Sequence, residues 1–234
     1  PQSFTAWLAE FTMTPAGLLV VVLPGQIAFL GAAVAGGLIS PRPLCDRLLL
    51  VSGRCNRWSW LVFALATPCV ALLANILVNS LNQEPSQQLD MLEKMFQVQS
   101  QHSVLLLLLL MSVLPGIAEE LLFRGYLQSR LLERVSPFWA IAITTGIFAA
   151  AHLDPQHAIG VMPLGIWLGI VAWRTGSVWP AMMCHIANNA FAILASLFAG
   201  NLSDSETLGM FGLLALAVSA FALTISVATL AKSP

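Results

Sequence analysis

Apolar length restricts this chain more than any other feature. Seven stretches, at about 14–38, 58–81, 103–123, 137–153, 157–173, 178–199 and 207–231, are apolar and long enough to cross a bilayer, which takes roughly 20 residues of helix. Only 9% of the 234 residues are charged, against about a quarter in water-soluble domains, so the surface suits lipid. Unbroken leucine from Leu105 to Leu110 speaks against a β-barrel, whose strands alternate apolar and polar residues. The expectation is an all-α, polytopic bundle of about seven transmembrane helices, forming one membrane domain over residues 1–234. The lipid bilayer is its expected partner, and nucleic acid is not. No basic segment lies between Pro1 and the first apolar run, so a cleaved signal peptide is not expected.

Lys and Arg set the expected orientation. Arg42, Arg47, Arg54 and Arg57 separate the first two runs; Arg124, Arg130 and Arg134 follow the third, Arg174 the fifth and Lys232 the seventh, leaving only Lys94 of the 10 basic residues on the other side. The positive-inside rule then puts the N-terminus outside and the C-terminus in the cytoplasm, with segments 39–57 and 124–136 cytoplasmic. Residues 42–57 read as an interfacial amphipathic segment, and 82–102 as an extramembrane loop with a short helix near Leu89–Phe96. Gly165 and Gly169, one turn apart, offer a groove for close helix packing. Cys45, Cys55, Cys69 and Cys184 contain no CxxC pair and read as structural or incidental thiols.

Ionisable groups inside membrane helices are costly and mark functional candidates. They cluster in three places: Glu119, Glu120 and Arg124; Phe148 with His152; and His185 with Asn189. Glu120 and Arg124, four apart, share a helical face and pair. Glu119 points about 100° away and lacks a local partner, so it takes up a proton or finds a cation elsewhere. Singly, each group has an ordinary reading: an interfacial helix end for the acids, interhelical hydrogen bonding for His185 and Asn189, a boundary histidine beside Asp154 for His152, and core packing for Phe148. Together they are the parts of a hydrolytic site: a carboxylate base for water, two histidines to hold a metal or polarise a carbonyl, and an amide for the oxyanion.

The order E-E-x-x-x-R, F-x-x-x-H and H-x-x-x-N on successive membrane helices resembles the type II CAAX prenyl endopeptidases, the CPBP family of CAAX proteases and bacteriocin-processing enzymes. The resemblance covers about residues 103–199. It implies an intramembrane endopeptidase, CPBP-type, cutting membrane-associated protein or peptide substrates. It further implies that Glu119 activates water, that His152 and His185 bind metal or polarise the carbonyl, and that Asn189 stabilises the oxyanion, while Glu120 and Arg124 hold the helix. A zinc ion on His152, His185 and Glu119 and a metal-free glutamate route both stay open. The alternatives are a non-catalytic immunity or scaffold protein of the same fold, and a small ion-coupled transporter, for which inverted repeats would speak; none is seen. Straight helices would leave Glu119 and His152 near opposite faces of the membrane, so the helices are expected to be staggered or broken.

Overall fold

A computed structural model describes residues 3–12, 14–80, 101–201 and 205–232. The expected helix near Leu89–Phe96 lies outside the described residues. Among the described residues the chain is helical throughout, without strands. The helices are α1 (Phe4–Thr12), α2 (Pro15–Leu38), the short α3 (Leu44–Arg47) and α4 (Arg57–Ser80). A continuous α5 follows, beginning with Gln101–Leu108 and ending with Ser129–Leu132, then α6 (Pro137–Ala150), α7 (Pro155–Thr175), α8 (Trp179–Asn201) and α9 (Ser205–Lys232). Helices occupy all seven expected stretches, in an all-α polytopic bundle. Five are long and apolar enough to cross a membrane, with shorter apolar helices at Arg57–Leu72 and Pro137–Ala150. Val20, Ile27, Leu105 and Phe221 lie exposed on their outer faces, as lipid-facing residues should. The protein is an integral membrane protein.

Local chemistry fixes the helix starts. Thr14 caps α2, its Oγ1 accepting from Gly17 N at 3.0 Å, and Pro15 takes the first turn, where a missing N–H costs nothing. Asp154 caps α7 by accepting from Gln156 N and His157 N at 3.0 and 2.8 Å; Gly176 ends that helix at φ 65°, the left-handed conformation that glycine adopts without strain. Within α5, π-helical turns at Leu109–Val113 and Leu121–Gln128 flank the segment Leu114–Glu120. Such turns are rare and frequent at functional sites.

Two lengths differ from expectation and settle the depth of the site. α5 does not end near residue 123 but continues to Leu132, because Arg124 is neutralised inside the bundle. Arg124 is therefore not a loop residue, and segment 124–132 is helix. α6 stops at Ala150, so its 14 residues span about 21 Å, short of the roughly 30 Å hydrocarbon core. The α6–α7 turn thus lies within the bundle, level with the middle of α5.

Packing holds the helices in register. α4 packs against α7, α8 and α9 around Phe63, Trp167 and Leu168. Gly165 faces Thr145 and Phe148, and Gly169 faces Gln128 and Ile141, so closely that a Cβ at either would be crowded. α2 runs along α5, with Leu18 buried beside Leu107 and Leu110 and Phe29 edge-on to Phe123, ring centroids 5.7 Å apart. Residues 42–57 are mostly exposed or half-buried, with two residues turned inward. Leu48 and Arg47 are buried in the bundle, where Arg47 reaches Glu133 at 3.1 Å. Backbone bonds from Arg54 to Thr175 and from Val178 to Leu49 tie this loop to the helix ends.

Candidate active site

Phe148 is where the three motifs meet. Its ring lies 5.3 Å from Phe123, 5.0 Å from His152 and 6.0 Å from His185, centroid to centroid, and the Arg124 guanidinium sits 4.5 Å above it. α5, α6 and α8 therefore converge at one depth. Beside this ring, a cavity of about 880 Å³ is lined by Gln26, Glu119, His152, His157, His185, Asn188 and Asn189. Its walls include Val22, Phe29, Phe123, Leu164 and Ile193. Apolar walls strengthen every electrostatic contact inside.

The neighbouring glutamates face different partners. Glu120 is fully buried and accepts from Arg124 Nη1 at 2.9 Å. Arg124 also donates from Nη2 to Gly165 O at 3.0 Å, so one arginine joins α5, α7 and the Phe148 ring on α6. The same Glu120 oxygen, Oε1, lies 2.8 Å from His185 Nδ1. A carboxylate accepts, so Nδ1 carries the hydrogen and Nε2 of the neutral ring is left with a lone pair. Glu120 thus does more than offset Arg124: it sets the tautomer and direction of His185.

Glu119 is 8% exposed. Its Oε1 accepts from Gln26 Nε2 at 3.0 Å, and its Oε2 stands 3.9 Å from His185 Nε2. The partners missing from its own helix come from α2 and α8. The 3.9 Å separation is too long for a direct hydrogen bond but leaves both atoms able to contact one water.

Asn189 Nδ2 donates to Met111 O at 3.2 Å, and Asn189 Oδ1 accepts from Asn188 Nδ2 at 3.1 Å. An amide nitrogen carries two hydrogens, so one remains for a ligand. His152 Nδ1 lies 3.0 Å from Phe148 O and must donate to it, while its ring lies 4.5 Å from that of His157. Among the described residues, no three His, Cys, Asp or Glu side chains are grouped to hold a metal ion. Glu119, His152 and His185, the expected ligand set, all line this one cavity.

Four polar cavity residues escaped sequence reasoning: Gln26, His157, Asn188 and Ser196. For Gln26 a signal existed, since it is the one polar side chain between Pro15 and Ile39.

Residues 101–191 match the family described as type II CAAX prenyl endopeptidase, Rce1-like. The family resemblance therefore stands. The matched segment holds all three motifs and nearly coincides with the 103–199 core expected from them. The chain is also 27% identical over 95 residues, 41% of its length, to the Bacillus subtilis (strain 168) protein named "Putative membrane peptidase YdiL". It spans about two fifths of that relative, 39% of its length. No solved structure matches.

Proposed function

We propose that this protein is an intramembrane endopeptidase in which Glu119 activates water against a peptide bond of a membrane-associated protein or peptide. One observation carries the reading: Glu119 Oε2 and His185 Nε2 face each other at 3.9 Å at the wall of a mostly apolar cavity. A water seated there donates to both. Glu119 takes its proton as the oxygen adds to the scissile carbonyl carbon. The second amide hydrogen of Asn189 serves the resulting oxyanion. The proton on Glu119 then passes to the amide nitrogen as the C–N bond breaks, leaving a carboxyl and an amine product. His152, with Nδ1 bound to Phe148 O and Nε2 available, is assigned to proton movement at the same carbonyl. No step is routed through a metal, as no three His, Cys, Asp or Glu side chains are grouped to hold one among the described residues.

The Rce1-like match supports the peptidase reading, and its family description names prenylated CAAX substrates; the same class of lipid-modified peptide is a candidate here. The test uses the purified chain in phosphatidylcholine–phosphatidylglycerol vesicles with quenched fluorescent peptides, farnesylated and unmodified. Glu119→Gln keeps size and hydrogen bonding but removes the base, so cleavage is expected to fall by about 10²–10⁴-fold with thermal unfolding unchanged. Chelation, with or without added zinc, should leave the wild-type rate unaltered. Cleavage by Glu119→Gln at the wild-type rate would sink the assignment. A wild type that cuts neither peptide would favour the scaffold or immunity reading.

A further inference from the structure

α2 lies outside all three motifs, yet among the described residues it supplies the side-chain hydrogen bond to Glu119. Gln26 Nε2 donates to Glu119 Oε1 at 3.0 Å, while Gln26 Oε1 is buried with no hydrogen-bond partner among the described residues. Buried amides that serve only the fold are normally satisfied at both ends. Here the donor end is used and the acceptor end is left orphaned. That arrangement suits an amide placed for Glu119 rather than for its own satisfaction.

The register is fixed on both sides of Gln26. Phe29, one turn later, packs edge-on against Phe123, and Leu18, two turns earlier, is buried against Leu107 and Leu110. Gln26 is thereby held level with Glu119. We infer that Gln26 is a positioning residue for Glu119, which rests on the peptidase reading above. It ties down Oε1 and so leaves Oε2 as the oxygen directed at His185 and the water between them. Glu120 does the equivalent for His185 by holding Nδ1 at 2.8 Å. Each member of the reacting pair has one atom anchored by a residue that does not itself react. The two anchors come from different helices, so the free atoms meet only when α2, α5 and α8 are in register.

The test has two readouts. Infrared difference spectra at fixed pH, taken on the vesicle-reconstituted chain, isolate the Glu119 carboxylate bands by subtracting the Glu119→Gln spectrum. Removing a one-sided hydrogen bond alters the splitting of those bands. Gln26→Leu should shift them, and Gln26→His, which retains a ring N–H donor, should bring them back towards wild type. Kinetically, Gln26→Leu should lower kcat by about 10²-fold, the scale of a misplacement of 1 Å, with KM little changed, and Gln26→His should recover part of the loss. Unshifted carboxylate bands in folded Gln26→Leu would overturn the inference, and so would a loss expressed wholly in KM. If the bands shift but wild type cleaves neither peptide, the anchoring stands and the peptidase reading fails.

Discussion

Arg124 illustrates what a membrane interior demands of a charge. It is fully buried, with Glu120, Gly165 O and the Phe148 face as partners. Removing one member of a buried ion pair costs about 3–5 kcal/mol, because the other is left uncompensated. Arg124→Ala should therefore lower thermal stability and folded yield as well as activity, and Arg124→Lys should recover only part of it, since an ammonium lacks the planar fork. A variant of normal stability that is nonetheless inert would move Arg124 from scaffold to chemistry. The pairing of Glu120 with Arg124 was legible at i,i+4 spacing. The contact of Glu120 with His185 was not, because no local rule relates positions on separate helices. Gln26 was readable in principle by the same reasoning that singled out the histidines, that polar groups in apolar helices need a reason. Its amide lacks a charge, and the family motifs lie elsewhere.

At the level of elements, the site depends on helix lengths that hydropathy reads poorly. The third apolar run fades near residue 123, yet α5 continues to Leu132 because its polar residues face partners inside the bundle; Gln128 donates to Gly169 O at 2.9 Å. Close packing of α5 on α8 then sets the Glu119–His185 distance. A Cβ at Gly116 would lie 2.5 Å from Ile186 Cγ1 and 3.2 Å from its backbone N. Overpacking of this kind costs about 1–3 kcal/mol, so Gly116→Ala should lower the unfolding temperature and, by moving α8, reduce cleavage more than stability alone explains. A fully active variant would show that the two helices have slack. At the far end of α5, Glu133 clamps the 42–54 loop through Arg42 and Arg47 at 3.0 and 3.1 Å. Partial burial resists its ionisation, but the hydrogen bond from Arg47 and the charges of Arg47, Arg42 and Arg130 outweigh this and hold the Glu133 carboxyl below the ordinary range. A depressed folded value means the clamp contributes fully above the unfolded carboxylate value of about 4.3, and the contribution is lost as pH falls through the lower folded one. Thermal unfolding of wild type and Glu133→Gln should therefore differ at neutral pH and converge in acid. A gap that persists at low pH would assign the difference to packing.

At the scale of the whole molecule, the cations of the described residues gather at one end. Arg42 and Arg47 meet Glu133, Arg54 is tied to Thr175, and Arg174 reaches Leu230 O and Ala231 O at 2.7 and 2.9 Å, so segments distant in sequence share that end. Exposed Trp58, Phe138, Trp139 and Trp179 begin the helices that start there, as interfacial aromatics do. Arg124 no longer counts towards the asymmetry, since it is buried mid-helix, but the remaining cations among the described residues still fall on one side. We propose that this end is cytoplasmic, which places the start of α2 outside. The bundle geometry makes the claim sharper than loop counting does, because every loop packed onto the 42–54 segment must share its side. In a background with Cys45, Cys55, Cys69 and Cys184 replaced, Phe4→Cys should react with a membrane-impermeant maleimide on intact cells, and Ser52→Cys only after permeabilisation. Reversed labelling would invert the protein while leaving the site intact. Labelling of both from one face would contradict α2 as a span, and with it the anchoring of Glu119 by Gln26 across a membrane-embedded interface.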